Sequence, residues 1–369
     1  MKSDYGSEDY GRQLEETRKD IDSIDRQLIA LLSRRQDAAK KVGEIKKKAG
    51  LTILDPAREQ EVVRRLISES SENLSADAVR HIFKEIISAS RSVQEALSVA
   101  FLGPEATFSH QAALSLCGHS ASFRTAETIE DVFSMVEKGI CDQGVVPIEN
   151  SYEGSVNNTL DLLYNYDLKI GAEIFLRIRH HLLSRADDIS KIKYLYSHPM
   201  PIAQCRSWLK THLPGMPIKE VASTSLAAKL AKEDPESGAI GSRLSADTYG
   251  LNKLRENIED RPDNVTRFLS IGKTQAALTG NDKTSILFFV QHKPGSLFRA
   301  LEGLAARKIN MNRIESRPMK IRNWEYLFFV DLEGHEQDSN VRDAIKEMEG
   351  ACAFMKRLGS YPAAGDPWD

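Results

Sequence analysis

Cysteine is scarce and unpatterned. The chain of 369 residues holds Cys117, Cys141, Cys205 and Cys352, with no CxxC pair and no histidine at ligand spacing, which argues against a disulfide framework and a zinc site alike. Four reduced thiols, with no metal and no organic cofactor, are the expectation. No run of eighteen apolar residues occurs, so no membrane-spanning helix and no membrane partner are expected. The polar, acidic start MKSDYGSEDYGRQLEE lacks the apolar core of a secretion signal, which points to a soluble, cytoplasmic protein. Neither sign of charge dominates: 50 Lys and Arg stand against 53 Asp and Glu, which excludes a polyanion-binding surface and nucleic acid as a partner. The length suits two or three domains with ordinary cores.

Proline is also missing from Leu14 to Gly50, and there apolar residues recur at Ile21, Ile24, Leu28, Leu31, Leu32, Ala38, Ala39, Val42 and Ile45, close to a heptad rhythm. The pattern predicts one helix about 50 Å long, ended by Gly50. Asp55 and Pro56 read as the cap and first turn of a second helix, and Ser75 opens a third that runs towards Leu97. From Ser98 the pattern changes. Short β-branched and aromatic runs (144–148, 193–197, 238–241, 266–271) alternate with helical stretches, the signature of α/β architecture. After residue 283 the order βαββαβ predicts a ferredoxin-like α+β unit, with a helix from Pro294 to Lys308.

The long helix exceeds what two short companions can cover, so a second protomer is expected to bury the rest. Arg35 and Lys46, eleven residues apart, fall within about 20° on one helix face and about 16 Å apart along the axis, a spacing that lets two long cations close on a small dianion. Arg18 lies about 25 Å before Arg35 and about 100° off that face, so it cannot reach the same ligand within one chain but could in an antiparallel dimer. Taken alone, the pattern also describes a solvated basic surface.

Residues 14–97 resemble the all-helical type of chorismate mutase, whose motif positions fall on Arg18, Arg35, Lys46, Asp55, Arg58, Glu59, Ser90 and Gln94. The resemblance implies an interlocked dimer in which Arg18 serves the other subunit's site. Chorismate rearranges to prephenate in one concerted step without a nucleophile, so what the protein supplies is a compact conformer and charge on the breaking ether oxygen. Arg18, Arg35 and Arg58 would clamp the carboxylates, Lys46 and Gln94 would donate to the ether oxygen, and Glu59 with Asp55 would hold the ring hydroxyl. Ser90 and Gln94, spaced i and i+4, share a face of the third helix.

The stretch GVVPIENSYEGSV (144–156) runs apolar to Pro147 and then presents Glu149, Asn150 and Ser151, a set suited to a hydroxylated acid and equally to a capped turn. With GPEATFSH (103–110), YSHPMPIAQC (196–205), STSLAA (223–228), AIGSRLSADTYGL (239–251) and NVTRF (264–268), it resembles the prephenate dehydratase domain across residues 98–275. Ala106 departs from that family's usual glycine. The resemblance implies Thr266 as donor to the leaving hydroxyl, with Asn150 and Gln204 around the substrate, Glu149, Ser197 and Thr224 as second candidates, and Arg267 supplying charge. His198 reads as a turn residue, and His180 and His181 as structural.

Residues 283–360 resemble an ACT domain. PGSLFRAL (294–301) and RIESRP (313–318) look like phenylalanine-binding elements, which nominates Gly295, Ser296, Leu297, Glu315, Ser316, Arg317 and Pro318, with free helix amides for a carboxylate. Together the resemblances imply a multidomain enzyme divided as 1–97, 98–275 and 276–369. It would take chorismate to prephenate and prephenate to phenylpyruvate, with L-phenylalanine as allosteric inhibitor and a homo-oligomer of at least two chains. The alternatives are a prephenate or arogenate dehydratase with an inactive helical dimerisation module, and a non-catalytic amino-acid sensor.

Overall fold

The computed structural model of the chain describes residues 5–49, 56–71, 73–318, 326–365 and 367. The N-terminal part is helical: α1 (Tyr5–Lys48), α2 (Pro56–Glu69) and α3 (Ala76–Ser92). α1 starts before the apolar rhythm does, because nothing in the acidic leader breaks a helix and acidic residues suit its N-terminus. Gly50 and Asp55, the predicted stop and cap, lie outside the described residues. Ser75 caps α3 as expected, its hydroxyl accepting from the Ala78 amide at 3.2 Å. α3 ends short of Leu97, where the Gln94 and Glu95 amides both turn back to the Arg91 carbonyl. Ile21, Ile24, Leu28 and Leu31 are each more than half exposed on α1, an apolar stripe that its own chain leaves uncovered.

α1 and α3 touch closely at Gly43, where an added Cβ would stand 2.8 Å from Gln94 Cβ. Gly43→Val should therefore force the helices apart and cost about 1–3 kcal/mol. Thermal unfolding of the full chain measures this, and an unchanged midpoint would contradict the packing.

β1 (Ser98–Leu102), α4 (Phe108–Cys117), β2 (Ser122–Ala126), α5 (Ile129–Glu137), β3 (Gln143–Asn150), β4 (Gly154–Ser155), α6 (Asn157–Asn165) and β5 (Lys169–Arg177) build a first lobe. The chain then crosses into a second lobe, made of β6 (His181–Ser184), β7 (Tyr194–Ser197), α7 (Pro199–Gln204), α8 (Arg206–His212), β8 (Ile218–Glu220), α9 (Thr224–Glu233), β9 (Ser237–Gly241), α10 (Arg243–Tyr249) and β10 (Asn252–Arg255). It returns as β11 (Val265–Gly272), inserted between β3 and β5. The sheets run β2-β1-β3-β11-β5, with β4 beside β3, and β10-β6-β9-β7-β8. The two crossings are zipped together, the Ile178 amide donating to the Asn264 carbonyl and the Ile258 amide to the His180 carbonyl, both at 2.8 Å.

The last unit holds β12 (Asp282–Phe289), α11 (Ser296–Ala306), β13 (Met311–Pro318), β14 (Tyr326–Glu333), α12 (Ser339–Ala351) and β15 (Phe354–Pro362) in the antiparallel order β13-β14-β12-β15. This is the ferredoxin-like arrangement. α11 begins at Ser296 rather than Pro294, because Gly295 takes a left-handed φ of 76° before the helix. Ile286, Phe288, Val330 and Leu332 face α11 and α12. Alternation sends Leu287, Phe289, Leu327, Phe329 and Tyr361 to the other face, where they share one core with Leu163 and Ile170 of the first lobe. The sheet is thus covered on both faces except towards its outer edge, where Ile314 and Tyr326 stay exposed on the helix side.

Candidate functional site

In the helical part, Arg35 reaches from α1 to α3, donating to the Ser90 hydroxyl and to the Ile86 carbonyl at 3.4 Å. Ser90 in turn donates to the Ile86 carbonyl at 2.7 Å, and the Gln94 amide nitrogen to the Ser90 carbonyl at 3.1 Å. Burial draws the Arg35 guanidinium below its ordinary value, the mark of a cation held in a partly dry recess. Lys46 is half-buried nearby on α1, one turn beyond Gly43. Glu59 pairs at 3.5 Å with Arg91, a residue the sequence reading did not single out, and Arg91 also donates to the Cys117 carbonyl at the end of α4 at 2.8 Å. Arg58 meets Glu61 at 2.6 Å on the surface, Asp55 lies outside the described residues, and Arg18 is exposed. One chain therefore gathers Arg35, Ser90 and Gln94, carries Lys46 further along the same helix as Arg35, and leaves Arg18 about 25 Å away along α1.

The second site forms where strand ends converge. β1 runs parallel to β3, and β7 parallel to β8 and β9, so GPEAT, PIENS, SHPMP, STS and GSRLS all follow strands at their carboxyl ends, where open α/β sheets hold ligands. The lobes meet here: the Ser245 hydroxyl donates to the Ala106 carbonyl at 2.8 Å. Ala106 holds a left-handed φ of 63°, the conformation that glycine adopts without strain.

β11 brings Thr266 opposite Asn150 in register. Asn150 Nδ2 donates to Thr266 Oγ1 and to Asn264 Oδ1, both at 2.8 Å, while its Oδ1 accepts from the Tyr152 and Glu153 amides at 2.9 and 3.1 Å. Since Thr266 Oγ1 accepts from Asn150, its own proton is left to point elsewhere, and the side chain, 8% exposed, sits at the junction of the lobes. Gln204 accepts from buried His180 Nε2 at 2.7 Å, which leaves its NH₂ for another partner. Desolvation lowers the His180 pKa, in keeping with a neutral, structural histidine. Ser197 is buried and donates to the His198 carbonyl, and Thr224 opens α9 behind the cap Ser223. Ser151 accepts from the Val265 amide at 3.0 Å and so braces the turn.

Arg267, expected to supply charge to the substrate, faces the other way. Its guanidinium, 4% exposed, is committed to Glu173, Asp331 and the Tyr361 hydroxyl. Glu149, its register partner, shares that face and lies 3.3 Å from Arg313. Strand alternation explains the split: Asn150 and Thr266 turn to the cleft, Glu149 and Arg267 to the C-terminal unit.

A pocket of about 470 Å³ in the last unit is lined by Val290 to Phe298, including Gly295, Ser296 and Leu297, together with Tyr326 and Phe328. Register sets Ser316 opposite Phe328 and Pro318 opposite Tyr326, on the pocket's face of the sheet. Glu315 and Arg317 turn to the other face, and Arg317 pairs with Asp161 of α6 at 2.7 Å. The seven nominated residues therefore divide between two faces within one chain.

Three family models match in order: chorismate mutase type II over residues 17–95, prephenate dehydratase over 99–276 and the ACT domain over 284–350. A bifunctional chorismate mutase/prephenate dehydratase of Aquifex aeolicus (strain VF5) is 48% identical over 356 residues, covering 95% of this chain and 98% of the relative. One from Stutzerimonas stutzeri is 40% identical over 358 residues, with 95% and 98% covered. Among solved structures, a prephenate dehydratase from Arthrobacter aurescens in complex with L-Phe superposes with a TM-score of 0.66 at 35% identity, covering 72% of this chain and 90% of that one.

Proposed function

The chain belongs to the bifunctional chorismate mutase/prephenate dehydratase family, and on that premise we propose how its parts divide the work. Residues 1–97 rearrange chorismate to prephenate, residues 98–275 convert prephenate to phenylpyruvate, and residues 276–369 respond to L-phenylalanine. Both reactions are redox-neutral and rest on positioning and proton delivery, so the proposal includes no cofactor. Among the described residues no helix is long and apolar enough to cross a membrane; we assign the enzyme to the cytoplasm.

In the mutase part, Arg35 and the partner subunit's Arg18 clamp the two carboxylates of chorismate, Lys46 and Gln94 donate to the breaking ether oxygen, and Glu59 holds the ring hydroxyl. The exposed stripe from Ile21 to Leu31 supports a dimer, and with it the shared pocket.

The observation that carries the dehydratase assignment is the Asn150–Thr266 hydrogen bond at 2.8 Å. With Asn150 donating to Oγ1, the Thr266 proton is directed at a leaving hydroxyl. That group departs as water while the ring carboxylate leaves as carbon dioxide and its bonding electrons complete the aromatic ring. Helices α4 and α9, opened by Thr107 and Ser223, offer first-turn amides to the carboxylates. Purified protein supplied with chorismate should yield phenylpyruvate by way of prephenate. Absence of either conversion would remove the corresponding assignment.

Phenylalanine is placed in the pocket of Gly295, Ser296 and Leu297, with Ser316 and Pro318 at its edge and a second chain completing the site. Gly295→Ala puts a side chain on a left-handed residue, 3.3 Å from Arg299 Nη1. It should raise the phenylalanine needed for half-inhibition of phenylpyruvate formation about tenfold, equal to about 1.4 kcal/mol of binding. An unchanged inhibition curve would move the effector elsewhere.

A further inference from the structure

Four charged residues form a closed square across the interface between the first lobe and the ACT sheet. Glu149 on β3 and Arg267 on β11 are cross-strand partners in the lobe, and Arg313 on β13 and Asp331 on β14 are cross-strand partners in the sheet. Glu149 meets Arg313 at 3.3 Å and Asp331 meets Arg267, so two edges of the ring are ion pairs across the interface and the other two are register neighbours of opposite sign. Arg313 also donates from Nη2 to the Ser155 hydroxyl at 2.7 Å. Ser155 is the register partner of Glu149, and Gly154 that of Asn150, so Arg313 grips both strands at the base of the turn that carries Asn150. The Arg313 side chain is 8% exposed, and neither its Nε, which meets Glu149 as an ion pair only, nor its Nη1 has a hydrogen-bond partner, an expensive placement for a residue with no task.

We infer that Arg313 is a positioning residue of the dehydratase site, holding Glu149 and Ser155 from behind so that Asn150 stays in register with Thr266 on the cleft face. Asp331 does the same for β11 through Arg267, the residue next to Thr266. The ACT sheet is in this sense the rear wall of the catalytic pair. The inference rests on the reading of Asn150 and Thr266 as the reacting pair and adds the device that keeps them together. A small loosening matters because a hydroxyl moved by about 1 Å from its leaving group loses much of its effect, up to about 10²-fold.

The test uses the full-length protein and measures both activities in each variant. Arg313→Gln should lower dehydratase kcat about tenfold, with the KM for prephenate within about threefold and mutase turnover within about twofold. Arg313→Lys keeps the charge but cannot serve Glu149 and Ser155 as a fork, and should lose about threefold. In the double variant with Glu149→Gln, adding Arg313→Gln should cost less than it costs in the wild type, because the Glu149 contact is already broken and only the one to Ser155 remains to be lost. Wild-type kcat in both Arg313 variants, a loss carried by KM, a parallel fall in mutase turnover, or full additivity would each overturn the assignment. If Arg313→Gln does not fold, Arg313→Lys decides by the same criteria. Failure of the underlying reading is distinguishable, since it would appear as retained dehydratase turnover in Thr266→Ala.

Discussion

Arg18→Ala and Arg35→Ala are each expected to depress chorismate turnover by about 10²- to 10³-fold, while an equimolar mixture allowed to exchange subunits recovers about a quarter of the wild-type rate. The recovery follows from geometry. In the proposed dimer each pocket draws Arg35 from one chain and Arg18 from the other, because about 25 Å of straight helix separates them within a chain. In a heterodimer one pocket then carries both lesions and the other neither. Half the dimers in a random mixture are heterodimers, which leaves one pocket in four intact. Arg35 is already held by Ser90 in a partly buried recess, so its loss also leaves Ser90 without its cation. The measurement is chorismate consumption before and after exchange, with exchange itself followed by a tagged subunit. No recovery despite complete exchange would place both arginines in the same chain's pocket.

Thr266→Ala should remove at least about 10²-fold of dehydratase turnover, the scale of a lost proton donor, and leave chorismate conversion unaffected, so that prephenate accumulates. Thr266→Ser keeps the hydroxyl that accepts from Asn150 and should stay within about tenfold of the wild type. The residues proposed for the mutase lie on α1, α2 and α3 or, for Gln94, just past the end of α3, and the proposed dehydratase pair lies on β3 and β11, so the two activities should part cleanly. Time courses that quantify chorismate, prephenate and phenylpyruvate separate the cases. A parallel fall of both rates in folded Thr266→Ala would refute the assignment.

Much of this was legible in the chain because local signals and global fold agree. The proline-free heptad rhythm gave α1, Ser75 gave the cap of α3, and the βαββαβ order gave the last sheet. The approach of Asn150 to Thr266 was suggested by motif order alone, and no local signal could have fixed their 2.8 Å contact across 116 residues of sequence. What escaped was direction. A strand of known register but unknown facing cannot tell whether Arg267 or Thr266 looks into the cleft, and the choice fell to packing against a unit that ends beyond Tyr361. The same limit hid the division of Glu315 and Arg317 from Ser316 and Pro318. Arg91 and Arg313 were missed for a related reason. Arg91 directly follows a motif residue and Arg313 opens a motif without being singled out in it, and each acts on a neighbouring domain whose position no periodicity reveals.

The buried cluster around Arg267 also sets a timetable for synthesis. Thr266 leaves the ribosome about 95 residues before Tyr361, an interval of about 5–20 s at ordinary elongation rates. During that time Arg267 has Glu173 from the start but Asp331 only once 64 further residues are made and Tyr361 only after 94, and until then the lobe surface around Leu163 and Ile170 is not fully covered. The last strand to be made, β15, is the one that completes the catalytic domain as well as its sensor.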